Sequence, residues 1–438
     1  MGRKLLILTT IAMALTISCG RDSGFWSAED GKFVRDGKTE YFIGANMWYA
    51  PLLASDTDVA DPERLGEELD CLKSMGVNNL RVLAGADGDA GDAGVKWKVE
   101  PALQTAPGVY DENVFVGLDR FLVELGKRDM TAVIYLNNAW EWSGGFGQYL
   151  EWTGHGKAVS ANDVTWEEYC EITSKFTTDE RAKSMFMEHV KKVVSRVNTV
   201  TGRPYSEDPA IFSWQICNEP RCFVRVDSVK AEFEKWLVRT AALIKSIDKN
   251  HMVSVGSEGL YGCEVDMDLF EKIHSCPDID YLTMHIWPAN WNWVRKDSLE
   301  TDLPEAYAKT DKYIDMHIAS AEKLRKPVVI EEFGYPRDGY KFDKSTPVAA
   351  RDAYYTHIFR RLEDSAKSDG VLAGVNFWAW GGKAGQSAEN IWWHRGDDYC
   401  GDPAQEPQGL YSVYESDTAT VAIIRNFNEL LRKPNKND

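Results

Sequence analysis

The chain has 438 residues, of which 44% are hydrophobic, and its formal net charge is −18. That length is well above a minimal domain and is enough for one large domain with a sizeable core. So acidic a protein repels nucleic acid and anionic lipid headgroups, and it favours a neutral polymer over a polyanion as a binding partner.

The N-terminus has the pattern of an export signal. Two basic residues precede an apolar run over 5–17, which is too short to span a bilayer. The run ends at Ser18-Cys19, which is similar to the lipobox of bacterial lipoproteins, although Thr16 stands where leucine is usual. We therefore expect a signal peptide over 1–18, acylation of Cys19 and a tether over 19–30. The predicted protein is an exported, membrane-anchored lipoprotein in the periplasm or at the cell surface, and simple secretion is the alternative.

Cysteine and histidine spacing does not indicate a metal site. The sequence has no CxxC and no HExxH motif, and its eight histidines are scattered, so we expect no metal and no other cofactor. Acylation of Cys19 leaves seven cysteines in a compartment that permits disulfides. The candidate pairs are Cys217 with Cys222 and Cys263 with Cys276, and the odd number leaves at least one free thiol.

Short apolar runs alternate with amphipathic stretches along the rest of the chain. The apolar runs predict strands over 41–46, 78–83, 131–137, 211–217, 252–257, 280–285, 327–332 and 373–378. The amphipathic stretches predict helices over 62–75, 112–128, 180–198, 228–247, 304–325, 347–366 and 418–432.

This alternation indicates an α/β fold. Near-continuous hydrophobic runs such as 132–136 are typical of parallel strands that are buried on both faces. Eight strand–helix alternations predict a (β/α)8 TIM barrel, as a single domain over 31–434. A doubly wound open sheet is the competing architecture, but no GxGxxG motif follows the first predicted strand.

Three segments, 84–110, 138–179 and 379–417, are too long for plain connections. Each follows a predicted strand, so all three are expected over the C-terminal face of a barrel, where the active site of this fold lies. The second and third segments are rich in tryptophan, whose aromatic face packs on the C–H bonds of a sugar ring.

Two glutamates each end a short strand of buried type. Glu219 lies in an Asn-Glu-Pro turn directly after the run 211–214, and Glu332 follows the run 328–330. Hydrolysis of a glycosidic bond requires two carboxyl groups at a fixed separation, one protonated and one ionised. A lone Asn-Glu-Pro is most simply a solvated turn, but the matching context of Glu332 favours a catalytic pair.

Four further side chains lie within or at the ends of predicted strands. Arg81 lies in a buried strand and needs an anionic partner. We expect it to bind the nucleophilic carboxylate and keep it ionised, rather than to form a merely structural salt bridge. His285 and Trp287 follow the sixth strand and Trp378 ends the eighth, where they are placed to contact a sugar rather than only to fill the core.

These residues together resemble glycoside hydrolase family 5, and the resemblance runs from 44–46 to the last helix. The likeness is greatest to the bacterial β-mannanases of that family, in the segments Asn218-Glu219-Pro220-Arg221, His285-Ile286-Trp287-Pro288 and 401–409. The resemblance implies that Glu219, on strand four, is the acid/base and that Glu332, on strand seven, is the nucleophile.

The resemblance also implies which residues bind the substrate: Arg81, Trp140, Asn218, Arg221, His285, Trp287 and Trp378. Asn218 is implied to bind the sugar 2-hydroxyl. Arg81, His285 and Trp378 are implied to line the subsite before the cleaved bond, and Arg221 and Trp140 the leaving-group side. Two positions depart from the family pattern. Trp287 stands where a tyrosine often donates to the nucleophile, and the 137–140 segment lacks the histidine common after strand three.

Glu331 is adjacent to Glu332. Adjacent side chains on a regular strand point to opposite faces, so only one of the two is expected to enter the barrel mouth. Glu332 precedes Phe333-Gly334, where the family pattern places the nucleophile, and Glu331 is predicted to be a supporting acid.

We interpret the chain as a monomeric endo-β-1,4-mannanase that cleaves mannan, glucomannan or galactomannan by a retaining double displacement. Retention predicts about 5–5.5 Å between the carboxyl groups of Glu219 and Glu332. Three alternatives stay open: an exo-acting β-mannosidase in which the 138–179 segment closes one end of the cleft, a β-1,4-glucanase, and an inactive surface glycan-binding lipoprotein. The presence of both glutamates argues against the last of these.

Overall fold

A computed structural model describes residues 24–88, 95–385 and 391–432 of the chain. The predicted signal peptide, the predicted lipidation residue Cys19 and the start of the predicted tether lie outside the described residues.

Eight parallel strands form one sheet. In chain order, β1–β8 are Phe42–Asn46, Asn79–Leu83, Thr131–Tyr135, Ile211–Gln215, Met252–Ser254, Leu282–Ile286, Val328–Phe333 and Leu372–Phe377. Their order in the sheet is β5-β4-β3-β2-β1-β8-β7-β6. Backbone hydrogen bonds at β5 and β6 close the ring, since Asp280 N–H donates to Val253 C=O at 2.8 Å and His285 N–H to Glu258 C=O at 3.2 Å. The predicted TIM barrel is therefore confirmed.

One main helix of the outer layer follows each barrel strand, and β1 and β3 are followed by shorter helices as well. In chain order, α1–α8 are Pro62–Ser74, Glu112–Lys127, Glu180–Val194, Asp227–Ile247, Met267–His274, Leu303–Leu324, Ala349–Lys367 and Thr418–Leu431. Aspartates fix where several of them begin: the Asp179 carboxylate accepts from the N–H groups of Arg181 and Ala182 at 2.7 and 3.0 Å. The sequence did not predict α5, because its eight residues show too few turns of apolar periodicity.

The barrel strands are buried along their whole length, which explains their near-continuous apolar sequence. At the N-terminal end, an antiparallel sheet of Trp26–Glu29, Lys32–Arg35 and Lys38–Glu40 covers the barrel. Its aromatic side chains pack on residues near the starts of the barrel strands, including Phe42, Phe212 and Tyr281. The folded domain thus begins inside the segment predicted as a tether.

The three long segments contain short elements of their own. They are the strands Gln104–Ala106, Val109–Tyr110, Trp380–Gly382 and Val413–Tyr414 and the helices Gly145–Trp152, Trp166–Thr173 and Lys175–Thr178. A further short helix, Ala50–Leu53, follows β1. Within the described part of the chain, no helix has both the length and the apolarity needed to cross a bilayer.

The seven cysteines after Cys19 are free thiols, so neither candidate disulfide is formed. The Cys217 and Cys222 thiols instead donate to the C=O groups of Asn218 and Val224, at 3.3 and 3.4 Å. Both sulfurs are satisfied locally by backbone acceptors, a geometry that sequence spacing does not reveal.

Candidate active site

A β-bulge in β7 determines how its two glutamates are placed. In the β6–β7 ladder, Met284 pairs with Ile330 but His285 pairs with Glu332, so Glu331 is an extra residue on β7. The alternation of faces is interrupted there, and both carboxylates approach Arg81. Glu332 Oε1 lies 2.5 Å from Arg81 Nη1, and Glu331 Oε2 lies 3.6 Å from Nε. As expected, only Glu332 lines the cleft, but the reason differs: the bulge, rather than the opposite faces of a regular strand, places Glu331 beneath it.

The Arg81 guanidinium is fully buried and donates hydrogen bonds to four side chains of the site. Besides Glu332, it donates to Asn46 Oδ1 at 3.1 Å, Gln215 Oε1 at 2.8 Å and Asn218 Oδ1 at 2.6 Å. Burial alone lowers the pKa of Arg81, but the nearby carboxylates, Glu332 first, outweigh it and raise that pKa. Arg81 therefore stays charged and holds Glu332 through a charge-assisted hydrogen bond.

Glu331 is buried beneath this site and does not line the cleft. Its carboxylate accepts from Gln215 Nε2 at 2.6 Å and from the Tyr281 hydroxyl at 3.3 Å. Burial raises the pKa of Glu331, and the charge of Arg81 opposes that shift. Because Gln215 contacts both Arg81 and Glu331, this second carboxylate supports the orientation of Arg81 from below.

His285 lies between the two glutamates that the sequence paired. Its Nδ1 is 2.7 Å from Glu219 Oε1 and 3.3 Å from Glu332 Oε2. Burial lowers the pKa of His285, but Glu332 and Glu219 raise it to about 10, so the ring is an imidazolium at neutral pH. The sequence placed His285 against a sugar hydroxyl, whereas in the structure its Nδ1 binds the two carboxylates.

The separation of the two glutamates is short. One oxygen of Glu219, one oxygen of Glu332 and a nitrogen of His285 all lie within 4.8 Å of one another. Retaining glycosidases have about 5–5.5 Å between the two carboxyl groups, whereas inverting enzymes need about 6.5–9.5 Å to admit a water molecule. The arrangement fits retention.

The same three residues are the one cluster in the described chain whose ligand atoms could meet at a metal ion. Two features make it a poor site for a cation. His285 is protonated and donates from Nδ1, and Arg81 already neutralises Glu332. The cluster is better suited to proton transfer than to metal binding.

Glu219 is held at the end of β4 by contacts from two sides. Its backbone has φ of +49°, in the left-handed region that non-glycine residues rarely adopt, and its N–H donates to Gly256 C=O at 2.9 Å. Trp140 Nε1 donates to Glu219 Oε2 at 2.5 Å, and His285 contacts Oε1. Strained backbone of this kind is common at functional sites.

Asn138 links the end of β3 to the end of β4. Its Oδ1 accepts both from Asn218 Nδ2, at 3.0 Å, and from Trp140 N–H, at 3.1 Å, while its Nδ2 donates to Ser143 Oγ at 3.0 Å. Asn218 Oδ1 is bound to Arg81, so the amide of Asn218 is fixed with one N–H left for a ligand. Asn138 lies in the 137–140 segment, where the family pattern commonly has a histidine.

The 138–179 segment builds an aromatic wall beside Glu219. The Trp140 ring stacks on Tyr169, with centroids 5.9 Å apart and planes at 16°, and Trp166 packs against both rings, with centroids 5.9 Å from Tyr169 and 6.1 Å from Trp140. The Arg221 guanidinium lies 5.8 Å from the Trp140 ring and forms an ion pair with Glu258, which follows β5. Trp166 is 48% exposed and forms the rim of the wall.

Trp287 and Trp378 form a second wall. Their rings meet edge to face at 5.9 Å, and Trp287 meets Tyr411 at 5.1 Å. Gly334 lies beneath, and a Cβ there would come within 2.7 Å of the Trp287 ring and 2.9 Å of Tyr411. Within the described residues Trp287 makes no hydrogen bond to Glu332, whose donors are Arg81 and His285.

These walls enclose a cleft of about 650 Å³. The lining residues that were given no role from the sequence include Glu258, Asn290, Trp291, Gln405 and Glu406. Two deeper residues, Gln215 and Asn138, were also missed. Each of these seven lies on a loop or at the end of a strand. A stricter search for polar residues in the last positions of every predicted strand and directly after it finds Gln215, Asn138 and Glu258, but not the loop residues.

The comparisons with known proteins agree with this geometry. A family model described as GH family 5 beta-mannosidase-like matches residues 23–436. The mannan endo-1,4-beta-mannosidase 1 of Oryza sativa subsp. japonica is 32% identical over 379 residues, which cover 82% of this chain and 79% of the rice protein. A glycoside hydrolase family 5 mannosidase from Rhizomucor miehei superposes with a TM-score of 0.85 at 34% identity, covering 96% of this chain and 100% of that one.

An endo-beta-1,4-mannanase from Thermotoga petrophila superposes with a TM-score of 0.66 at 25% identity, covering 92% of this chain and 78% of the other. The matched family region contains the whole barrel and both glutamates. The chain therefore belongs to glycoside hydrolase family 5 and is a glycoside hydrolase.

Proposed function

We propose that this enzyme is an endo-acting β-1,4-mannanase that hydrolyses mannan-type polysaccharides with retention of anomeric configuration. The observation that carries the mechanism is the close pair of Glu219 and Glu332, bridged by His285 Nδ1. The substrate class is supported by the rice mannan endo-1,4-beta-mannosidase and by the Rhizomucor and Thermotoga structures.

The geometry assigns a different role to each glutamate. Glu332, ionised beside Arg81, attacks the anomeric carbon; the bond from that carbon to the leaving oxygen breaks, and the Glu219 carboxyl gives that oxygen its proton. Glu219, now a carboxylate, then removes a proton from water. The water oxygen bonds to the anomeric carbon, and the Glu332 carboxylate leaves.

His285 and Trp140 hold Glu219 through both of these proton transfers. The two donors bind different oxygens of Glu219, which fixes the plane of the carboxyl group that gives a proton to the leaving oxygen and then takes one from water. Asn218, oriented by Arg81 and Asn138, has one amide N–H available for the 2-hydroxyl of the sugar beside Glu332. The walls of Trp140 and Trp378 provide aromatic faces for the rings on either side of the cleaved bond.

Exo-acting β-mannosidase activity is the second candidate, and two observations favour it. The Rhizomucor mannosidase matches this chain with a higher TM-score than the Thermotoga endo-mannanase does. In addition, the 138–179 and 379–417 segments meet at the cleft, where Asn162 Nδ2 donates to Gln405 C=O at 3.5 Å. A wall across the cleft confines the substrate to its chain end.

A substrate blocked at its non-reducing end separates the two candidates. An endo-acting enzyme cleaves a blocked mannohexaose and releases a ladder from linear mannan, whereas an exo-acting enzyme releases only mannose and leaves the blocked substrate intact. Carboxymethylcellulose tests the glucanase alternative. The Glu332→Ala variant is the control for hydrolysis by contaminants, and a wild-type protein that hydrolyses none of these substrates contradicts both candidates.

We also propose that the mature protein is a monomeric lipoprotein anchored through Cys19. The support is the sequence pattern of a basic pair, a short apolar run and Ser18-Cys19. Replacing Cys19 by Ala is expected to release the protein from the membrane fraction while leaving the kinetic constants of the domain unchanged. A Cys19→Ala protein that still pellets with membranes contradicts the anchor. Light scattering of the released protein tests the monomer.

A further inference from the structure

The turn over residues 403–407 of the last long segment lines the cleft. Two side chains fix its backbone. The buried Asp402 carboxylate accepts from the N–H groups of Gly409, Tyr411 and Ser412 at 2.8, 2.9 and 3.1 Å. The Gln408 amide donates to the C=O groups of Asp402, Pro403 and Glu406 at 3.2, 2.9 and 3.0 Å. The turn is therefore a rigid support.

That support presents polar groups without partners to the cleft. On the turn, Gln405 Oε1 is buried and has no hydrogen-bond partner. Trp378 Nε1, which follows β8 and also belongs to a residue lining the cleft, is likewise buried without a partner. The Glu406 carboxyl, which opens onto the cleft, forms no hydrogen bond to any described residue. A buried polar group without a partner costs about 1–3 kcal/mol, so a group of this kind on a rigid turn indicates a ligand that satisfies it.

The charges around Glu406 determine its protonation. Burial, followed by the negative charges of Asp402, Glu332 and Glu219, raises the pKa of Glu406 to about 8. The cations described above at the cleft or beneath it are paired with other acids: Arg81 with Glu332, Arg221 with Glu258, and His285 with Glu219 and Glu332. The Glu406 carboxyl is therefore neutral at neutral pH and offers both a donor O–H and an acceptor oxygen.

We propose that Gln405 and Glu406 form a hydroxyl-binding subsite for a neutral sugar unit next to the cleaved bond. The Glu406 carboxyl donates to one sugar oxygen and accepts from a second hydroxyl, and Gln405 Oε1 accepts from a hydroxyl beside it. A uronic acid is excluded at this position, because its carboxylate adds a further negative charge close to Glu332 and Glu219. The proposal rests on the proposed glycosidase function and names the residues that select the sugar.

Monodeoxy substrates locate the contact. We expect Glu406→Ala and Gln405→Ala to lower kcat/KM on manno-oligosaccharides by about 10–100-fold, the effect of leaving a substrate hydroxyl unpaired. On the analogue that lacks the recognised hydroxyl, wild type and variant should differ by much less. Glu322→Ala, on the exposed face of α6, is the matched control and should not change kcat/KM. An equal loss on every deoxy analogue, or no loss on any substrate, overturns the proposal.

The pH dependence provides a second readout that a purely structural role does not affect. Below its pKa the Glu406 carboxyl donates, and above that pKa it becomes an anion that cannot. Glu406→Gln keeps a donor at every pH. The ratio of kcat/KM for Glu406→Gln to that for wild type cancels the ionisations that the two proteins share. We expect this ratio to be constant near neutral pH and to rise above about pH 8.

A flat ratio across the alkaline range overturns the donor role. The variants leave the Asp402 and Gln408 contacts of the turn unaltered, so we expect the fold to be kept. Thermal unfolding of each variant checks this. Failure of this proposal is distinguishable from failure of the proposed function. In the first case the wild type hydrolyses mannosides and the variants match it, whereas in the second the wild type hydrolyses none.

Discussion

The two ends of the barrel are built by the same strands but from opposite kinds of residue. At the N-terminal end, Phe33 packs against Phe42, Phe212 and Tyr281 with ring centroids 5.1–6.0 Å apart. At the C-terminal end, Gln215, on the same strand β4 as Phe212, joins Arg81 and the two glutamates of β7 in one buried polar network. One end buries apolar surface and the other buries charge.

The difference shows where stability and chemistry reside. Apolar burial contributes roughly 25 cal/mol per Å² to folding, so the aromatic end supports the fold directly. Buried ion pairs contribute little net stability, because desolvation offsets their attraction, and breaking one leaves an unpaired charge. The polar end is therefore explained by catalysis, and the following substitutions should affect the two ends differently.

The largest effect is expected from Glu332→Ala. Removal of the nucleophile prevents the glycosyl-enzyme from forming, so this variant should be nearly inactive on every substrate, including aryl mannosides with good leaving groups. Steady-state rates on an aryl β-mannoside and on mannan measure this. Added azide should yield a product of inverted configuration. The assignment of Glu332 is contradicted if Glu331→Ala is inactive while Glu332→Ala keeps near-normal activity.

Glu219→Ala should cause the next largest loss, about 10²–10⁴-fold in kcat on mannan, because proton transfer alone is removed. An aryl mannoside with a good leaving group does not need that proton in the first step. On this substrate the variant should release the aryl group in a rapid burst and then stall as the glycosyl-enzyme. Azide should restore turnover with retained configuration. Absence of both the burst and the rescue contradicts the acid/base role.

Phe33→Ala tests the opposite end of the barrel. Truncating this fully buried ring should lower the free energy of unfolding by about 3–5 kcal/mol, because it leaves a cavity among Phe42, Phe212 and Tyr281. Denaturant titration measures the change. Below the unfolding transition, kcat and KM should equal those of wild type, and a large loss of kcat there contradicts the separation of the two ends.

Asn138→Ala should give a smaller loss at the polar end, about 10–100-fold in kcat/KM, since two donors lose their shared acceptor. Asn138 is a positioning residue, so the readout is the dependence on leaving group. Weaker support for Trp140 and Glu219 should make the rate depend more steeply on leaving-group pKa than in wild type. Asn138→Asp keeps the acceptor oxygen and should restore part of the rate. An unchanged leaving-group dependence contradicts the role.

The smallest effect is expected at the surface. Lys127 pairs with Glu124 at 2.6 Å, but its side chain is 61% exposed. Lys127→Ala should change the free energy of unfolding by no more than about 0.5 kcal/mol and leave activity unaltered. Denaturant and activity measurements on this variant provide the baseline for the other four variants. A change in the free energy of unfolding above about 1 kcal/mol would contradict the expectation that this exposed ion pair contributes little.

Much of this architecture follows from the sequence. The eight strands were predicted at their observed positions because a strand buried on both faces must be apolar along its length. Glu219 and Glu332 stood out because each ends an apolar strand in a matching context, which is the pair of carboxyl groups that glycosidic hydrolysis requires. The three long segments were placed over the C-terminal face because each follows a strand, and the chain leaves every strand of a parallel barrel at that face.

The tertiary structure decided what depends on register and on distant contacts. The bulge at Glu331 arises from the pairing of β6 with β7 and turned both glutamates inward, which no local pattern indicates. His285 became a bridge between Glu219 and Glu332 only because β4, β6 and β7 converge at one end of the barrel. The raised pKa of Glu406 likewise depends on burial in the folded domain and, besides the nearby Asp402, on Glu332 and Glu219, which are far from it in sequence. The sequence by itself determines which side chains end each strand, because an apolar run marks the strand and the polar residue after it marks its end. The protonation and orientation of those side chains depend on neighbours that only the closed barrel brings together.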